Sequence, residues 1–309
     1  MALPNQCPLC HSSNNHQSVI TSHVYGDRGE NKSAFFHCKH CDVRYQYPGL
    51  TLEEERRFYA SEFEAFMASR DGGAAGWNVA EKHISGNEKM RQRRMNYLAP
   101  HLKKNPEVLE VGCSSGFMLF PLIEKGVRCT GIEPSGAFNN FLAGKGVEAY
   151  ESMEQLRISK PSQKFDLIMH FFVLEHIADP LKFLESQLEI LSENGKIIFE
   201  IPNAADPLYA LYDIPEFERF YWSVAHPWYF SNDSLKYLLN KLNLKFEIFG
   251  DQRYDLSNHL IWARDGKPGG MERFTPVLGK EIEDAYRDSL VKSGFCDTLI
   301  GVIYKSSGK

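Results

Sequence analysis

Beyond Pro106 the chain repeats one unit: a short apolar run, a turn carrying glycine or an acid, then a stretch with helical spacing. VLEV (108–111) is followed by the helical FMLFPLIEKG, VRCTGIE by SGAFNNFLAGKG, and the short VEAY closes the series. FDLIMHF (165–171) then precedes PLKFLESQLEILSENG, a helix expected to end at Gly195, and the strand KIIFEIP. Strands this short and apolar must be covered on both faces, which a parallel sheet flanked by helices achieves. Ligands of such sheets bind outside the carboxyl ends of the strands. Late strands KFEIFG and TLIGVIY, with a helix at about 280–292 before the last, belong to the same sheet.

The first turn constrains the ligand. Glu110 ends the first strand, and Gly112 and Gly116 flank a tight turn into the helix, where missing side chains let a ligand approach the backbone. The spacing lacks the middle glycine of the dinucleotide fingerprint, which accommodates a pyrophosphate, and lacks the GK[ST] ending of a triphosphate loop. Glu133, ending the second strand, is placed to accept hydrogen bonds from two ribose hydroxyls. The set suits a ligand with a ribose and a positive charge but no phosphate. An NAD-type dehydrogenase and a purely structural turn are the rival readings.

VLEVGCSSG, GIEPS, FDLIMHFFVLEHIADP and NGKIIFEIPN, in that order, resemble the motifs of class I S-adenosylmethionine-dependent methyltransferases across roughly residues 88–250. The resemblance implies an α/β fold: a doubly wound, mostly parallel seven-stranded sheet of Rossmann-like type. It places Glu110, Gly112, Cys113 and Gly116 beneath the methionyl and ribose parts of the cofactor and Glu133 at the ribose. It puts Ser152 and Met153 beside the adenine, and His170 and Phe171 beside the sulfonium. Ser114 stands where such proteins often carry another glycine.

Near the start of the chain, Cys7, Cys10, Cys38 and Cys41 form two CxxC pairs, and the total of seven cysteines is odd. That pattern is not a disulfide framework; two knuckles complete a tetrahedral four-thiolate zinc site, with a redox dithiol pair as the alternative. A segment of about 45 residues cannot stabilise itself by burial alone, so a structural Zn2+ is expected to supply the difference. The expected organisation is a zinc ribbon over 1–48, a helical linker and glycine-rich loop over 49–87, and the main domain over 88–309. A helix is expected over Leu52–Phe66 and another over about 87–102, the latter with a basic face, MRQRRMNYL, read as solvated rather than anion-binding.

Methyl transfer to a hydroxyl requires a base at the carboxyl edge of the sheet. Glu175 and His176 follow the fourth strand, and His226 lies in VAHPWYFS. The segment 204–230 holds six tyrosines and tryptophans and is expected to form an aromatic lid, with Tyr229 among candidate substrate contacts. An insertion at 251–275 adds Arg253, Tyr254, Asn258 and His259 as candidates.

With 43% hydrophobic residues the chain can bury a substantial core. A formal charge of −5 disfavours a broad nucleic-acid surface. Neither a signal peptide nor an apolar run of membrane-spanning length is read, so the expected location is cytoplasmic. The architecture resembles methyltransferases of bacterial surface-glycan and modified-sugar pathways, which implies O-methylation of a sugar or nucleotide-linked sugar. The alternatives are a ribosomal or transfer RNA methyltransferase, since CPLCH resembles the ribbon of certain RNA guanine methyltransferases, and a non-catalytic zinc-ribbon binding module.

Overall fold

The structure, a computed structural model, describes residues 3–27, 33–49, 51–58 and 79–305. The expected glycine-rich loop at 69–78, and the expected helix beyond Phe58, lie outside the described residues; Leu52–Arg57 is helical.

Eleven strands form two sheets among the described residues. β1 (Gln17–Thr21), β2 (Ala34–Cys38) and β3 (Arg44–Tyr47) belong to the smaller one. β4 (Glu107–Val111), β5 (Arg128–Ile132), β6 (Glu148–Tyr150), β7 (Phe165–Phe171) and β8 (Leu191–Pro202) belong to the larger. β9 (Trp228–Tyr229) joins the smaller sheet, while β10 (Lys245–Asp251) and β11 (Thr298–Tyr304) complete the larger. The seven-stranded sheet runs β10-β11-β8-β7-β4-β5-β6; β8 through β6 are parallel, and β11 is antiparallel to both β8 and β10. This is the doubly wound, mostly parallel fold expected. The chain steps from β4 outward to β6 and then returns across β4 to β7, so the topological switch lies between β4 and β7.

Each face of the sheet carries its own core. Leu109, Ile168, Ile197, Phe199 and Leu184 pack on one side, and Val108, Leu167, Met169, Ile198 and Leu119 on the other, following the alternation of side chains along a strand. Burial of these side chains supplies roughly 1.5–3 kcal/mol each before entropy is counted. The helix Pro180–Ile190 stops before Gly195: Leu191 is already extended, and Asn194 takes the left-handed conformation at φ 61°. Gly195 sits within β8, where an added Cβ would lie 2.7 Å from the Leu191 side chain. Its role is close packing, not helix capping.

The sheet of the amino-terminal unit takes in a strand from much later in the chain. β9, taken from the expected lid, pairs with β3 through Arg44↔Tyr229 and Tyr45↔Trp228. The rings of the 204–230 segment pack as core: Trp222, Tyr221 and Tyr229 are buried with Phe35, Phe217 and Trp262. Phe35 lies 5.1 Å from Trp222 between ring centroids.

The expected helix over 87–102 is observed as Glu88–Leu98 followed by a short 3-10 turn, and its basic residues are not a solvated face. Arg94 is buried and donates from Nε to Glu200 Oε2 at 2.9 Å. Arg93 donates to Glu200 Oε1 at 2.5 Å and Tyr97 Oη to the same oxygen at 2.6 Å, and Arg93 also pairs with Asp251. Burial alone would raise the Glu200 carboxyl, but Arg94 and Arg93 outweigh it and hold it below the usual range. This buried network ties the helix to the carboxyl end of β8. Among the described residues no helix is long and apolar enough to cross a membrane.

Candidate active site

The turn after β4 is built as expected and shows why glycines stand there. Gly112 has φ +73°, and an added Cβ would lie 2.7 Å from Val173 Cγ2; Gly116 has φ +77°, with Leu142 Cδ2 at 2.6 Å. Ser114 is also left-handed, at φ 49°, which explains why glycine suits this position and marks the serine as strained.

Glu133 is buried and holds the turn directly. Its Oε2 accepts the Ser114 amide and its Oε1 the Ser135 amide, both at 2.7 Å. A carboxylate has roughly four lone-pair sites, more than these two amides use. Glu110 is 2% exposed, and its Oε2 has no hydrogen-bond partner among the described residues. Burial pushes its carboxyl well above the usual range, partly opposed by Arg94. An orphaned buried acceptor and a two-amide carboxylate flanking a side-chain-poor turn fit a ligand that brings hydroxyls and positive charge. Cys113 contributes backbone only: its amide donates to the Ile132 carbonyl, and its thiol packs where a Cβ on Gly131 would lie 2.5 Å from Sγ.

The adenine-side candidates lie at the carboxyl end of β6. Glu133 donates its amide to the Tyr150 carbonyl, bringing that strand end beside the turn. Ser152 caps the helix Met153–Ser159, its Oγ accepting the Gln155 amide at 3.2 Å, and Met153 is half-buried.

His170 lies in the core. It is fully buried, stacks on Phe199 at 5.0 Å and meets Phe183 edge-on, and neither ring nitrogen has a partner among the described residues. Burial lowers its pKa to about 3. One step along the strand reverses the face, so Phe171 turns to the other side, beneath Arg94 at 4.1 Å. The residue that borders the glycine turn is Val173, just after Phe172, which is left-handed at φ 56°. The apolar run hides them: nothing in FFVLEH says where the strand ends.

His83 was also missed. From the helix Ala80–Gly86, 32 residues upstream, its Nδ1 lies 2.8 Å from Ser115 Oγ, and its ring meets Phe117 and Phe138. Burial, then Arg94, lowers its pKa.

The three catalytic candidates converge. Glu175 and His176 lie in the turn after β7, His226 on the loop before β9, and their ligand atoms all fall within 4.8 Å of one another. His176 Nδ1 donates to the Ala225 carbonyl at 2.6 Å, which leaves Nε2 as the lone-pair nitrogen of the neutral ring; Nε2 is 4.0 Å from Glu175 Oε1. The two imidazoles meet at 4.6 Å. Glu175 is 1% exposed, neither of its oxygens has a hydrogen-bond partner among the described residues, and burial raises its pKa to about 8.

The amino-terminal unit grips the His226 loop from both sides. Tyr25 donates its amide to the Trp222 carbonyl and accepts that of Val224, while Gln46 donates to the Pro227 carbonyl. Behind that grip, the cysteine sulfurs gather. Cys7 and Cys41 are 3.8 Å apart, Cys10 and Cys38 3.6 Å, and all four lie within 4.8 Å. Tetrahedral Zn–S bonds of about 2.3 Å require sulfurs about 3.8 Å apart, so the group fits zinc. His11 and Asp42, each following the second cysteine of its pair, are both left-handed, at φ 60° and 61°. The knuckles therefore turn alike.

The substrate candidates divide. Arg253 lies over the Phe172 ring at 4.2 Å, is anchored by Asp297 at 3.3 Å, and stands beside half-exposed Tyr254. Asn258 and His259 are buried in the helix Leu256–Asp265: Asn258 donates to the Gly269 carbonyl, and His259 bonds Tyr286. Burial lowers the His259 pKa to about 4. Tyr229 is 1% exposed and gives its hydroxyl to the Tyr221 carbonyl. All three are buried, as helix 256–265 packs on the aromatic segment through Trp262 and Phe217.

Residues 83–247, more than half the chain, match the family model described as a methyltransferase domain. Over 171 residues the chain is 30% identical to a tRNA U34 carboxymethyltransferase of Hydrogenovibrio crunogenus, covering 50% of each protein. It is 26% identical over 133 residues to a ubiquinone biosynthesis O-methyltransferase of Coxiella burnetii, covering 41% of this chain and 56% of that protein. The chain thus spans about half the length of these curated relatives. In fold it is similar to a chain from the complex of the Haloferax volcanii Trm112 methyltransferase activator with a methyltransferase, at TM-score 0.52 and 14% identity, covering 75% of this chain and 98% of that one. The matched segment runs from His83, above the glycine turn, through β10's first residues and takes in every residue of that turn together with Glu133, Glu175, His176 and His226: this chain belongs to the methyltransferase-domain family.

Proposed function

We propose that this chain is an S-adenosylmethionine-dependent methyltransferase acting on a small molecule, with a hydroxyl of a sugar or nucleotide-linked sugar as acceptor. The observation that carries it is the pairing of two sites across the β4–β7 switch: a phosphate-free glycine turn flanked by Glu110 and Glu133, and the Glu175, His176, His226 cluster. S-adenosylmethionine, when bound, supplies a methyl group on a positively charged sulfur. Glu133 holds the ribose hydroxyls, and Glu110 offers an oxygen that is unpartnered among the described residues to a donor or cation. Ser152 and Met153 border the adenine, and Phe172 and Val173 close the methionyl side. At the cluster the acceptor hydroxyl is oriented and gives up its proton, a step worth roughly 10²–10⁴-fold in rate.

The acceptor class rests on the resemblance to glycan-pathway enzymes and on the proton-accepting character of the cluster. The aromatic segment adds little, since its rings are mostly core; Tyr212 and Tyr254 remain half-exposed. A second reading, transfer RNA as acceptor, is favoured by the Hydrogenovibrio relative and opposed by the acidic charge. The four cysteines hold a structural zinc, whose role is to keep the loop carrying His226 in place.

The test is formation of S-adenosylhomocysteine against a panel of nucleotide-linked sugars and glycans, with transfer RNA in parallel. Turnover on a sugar is expected. No turnover on any sugar, or salt-sensitive binding and methylation of RNA, would overturn the acceptor class.

A further inference from the structure

We infer that Glu175, His176 and His226 form a binding site for a divalent cation at the acceptor end of the cleft. The inference rests on reading this cluster as the acceptor end and deepens it: a cation, rather than an imidazole alone, draws charge from the acceptor hydroxyl.

Three observations carry it. One carboxylate and two imidazoles place their ligand atoms within 4.8 Å of one another, the donor set of catalytic zinc and of other first-row metals with open positions. Metal bonds of about 2.1 Å set neighbouring ligands roughly 3.0–3.4 Å apart, so closure requires side-chain movements of about 1 Å. Next, Glu175 is buried with both oxygens unpartnered among the described residues, and its Oε1 lies 4.0 Å from His176 Nε2. A cation there would satisfy the two carboxylate oxygens, which nothing else among the described residues does. Finally, the other nitrogen of His176 is tied to the Ala225 carbonyl at 2.6 Å, the outer hydrogen bond that fixes the tautomer and orientation of a metal-binding imidazole.

Three protein ligands leave coordination positions open, which suits two neighbouring oxygens of a polyhydroxylated acceptor. In the transfer the acceptor O–H proton leaves to solvent water, the oxygen forms its bond to the methyl carbon, and the carbon–sulfur bond breaks with its electron pair on sulfur. The cation undergoes no redox change.

This site is chemically distinct from the four cysteines, whose soft thiolates select zinc, whereas carboxylate and imidazole also accept manganese. Mn2+ is therefore the probe. Zinc-loaded full-length protein, with its zinc content verified, is titrated with Mn2+ while unbound Mn2+ is followed by electron paramagnetic resonance. We expect one Mn2+ per chain, with affinity reduced tenfold or more in Glu175→Gln and in His226→Asn. Having two variants keeps the test decisive if one fails to fold. The absence of Mn2+ binding by wild type, or undiminished binding by both variants, overturns the site. Methyl transfer at the same rate with and without Mn2+ overturns the cation's part in the reaction while leaving the methyltransferase reading intact. Mn2+ binding lost in both variants, with no sugar methylated, supports the site and counts against the acceptor class alone.

Discussion

Glu133→Gln separates the two tasks assigned to this carboxylate. In the structure it accepts two backbone amides, from Ser114 and Ser135, each at 2.7 Å. Glutamine has the same shape but one acceptor oxygen, and its NH2 group would confront one of those two N–H donors. One bond is then lost outright and the other falls from charge-assisted to neutral. A hydrogen bond to a charged group contributes about 1.5–3 kcal/mol, and a buried donor left without a partner costs about 1–3 kcal/mol. The expected loss of folding stability is therefore about 2–4 kcal/mol. For the cofactor, two hydroxyl-to-carboxylate bonds are replaced by at most one neutral bond, a loss of about 1–3 kcal/mol, or roughly 5- to 150-fold in Kd. Isothermal calorimetry with S-adenosylhomocysteine reads the second quantity, and urea unfolding without ligand reads the first. A Kd within twofold of wild type would sink the ribose assignment, whatever happens to stability. Unchanged stability with weakened binding would instead show that the turn does not depend on Glu133.

Three further outcomes follow from the same geometry. Ser114→Gly should stabilise the protein by about 1 kcal/mol in denaturant unfolding: it relieves a left-handed residue and removes a buried hydroxyl that has no partner among the described residues, against the entropy cost of glycine; a loss of stability would contradict the strain argument. Arg94→Met should destabilise by about 3 kcal/mol, because it strips one cation from a fully buried carboxylate, and a change below about 1 kcal/mol in the same assay would show that Arg93 and Tyr97 suffice. Asp206, raised to about 7 by burial and then by Asp297, is protonated in the folded chain at pH values where the unfolded chain has ionised. Its contribution is therefore fully present below about pH 4 and lost as pH rises to about 7. Asp206→Asn keeps the oxygen that caps Leu208 and lacks that loss. Its stability relative to wild type should grow between pH 4 and 7 by up to about 4 kcal/mol and then level off; a difference independent of pH would disprove it.

The helix Glu88–Leu98 shows where reading along the chain stops short. Its helical spacing was legible, but its arginines read as a solvent face, because their partner Glu200 lies more than a hundred residues away. His170 shows a second limit. A strand alternates faces at every residue, so an error of one position in its end point exchanges a cleft residue for a core residue. By contrast, Gly112, Gly116 and Glu133 were legible because each answers a local demand: a left-handed backbone, a close approach, or a strand end beside its own turn.

The sequence by itself determined the elements, the parallel sheet and the glycine turn, since periodicity and backbone conformation are properties of neighbours in the chain. It also named Glu175, His176 and His226 as separate candidates, and two cysteine pairs with zinc-like spacing. Only the tertiary structure decided that the three candidates meet, that the aromatic segment is core, and that the cysteine unit grips the loop holding His226. Strand order and the pairing of β3 with β9 set those meetings. They join residues far apart in sequence, whose proximity is fixed by which apolar faces can be buried together.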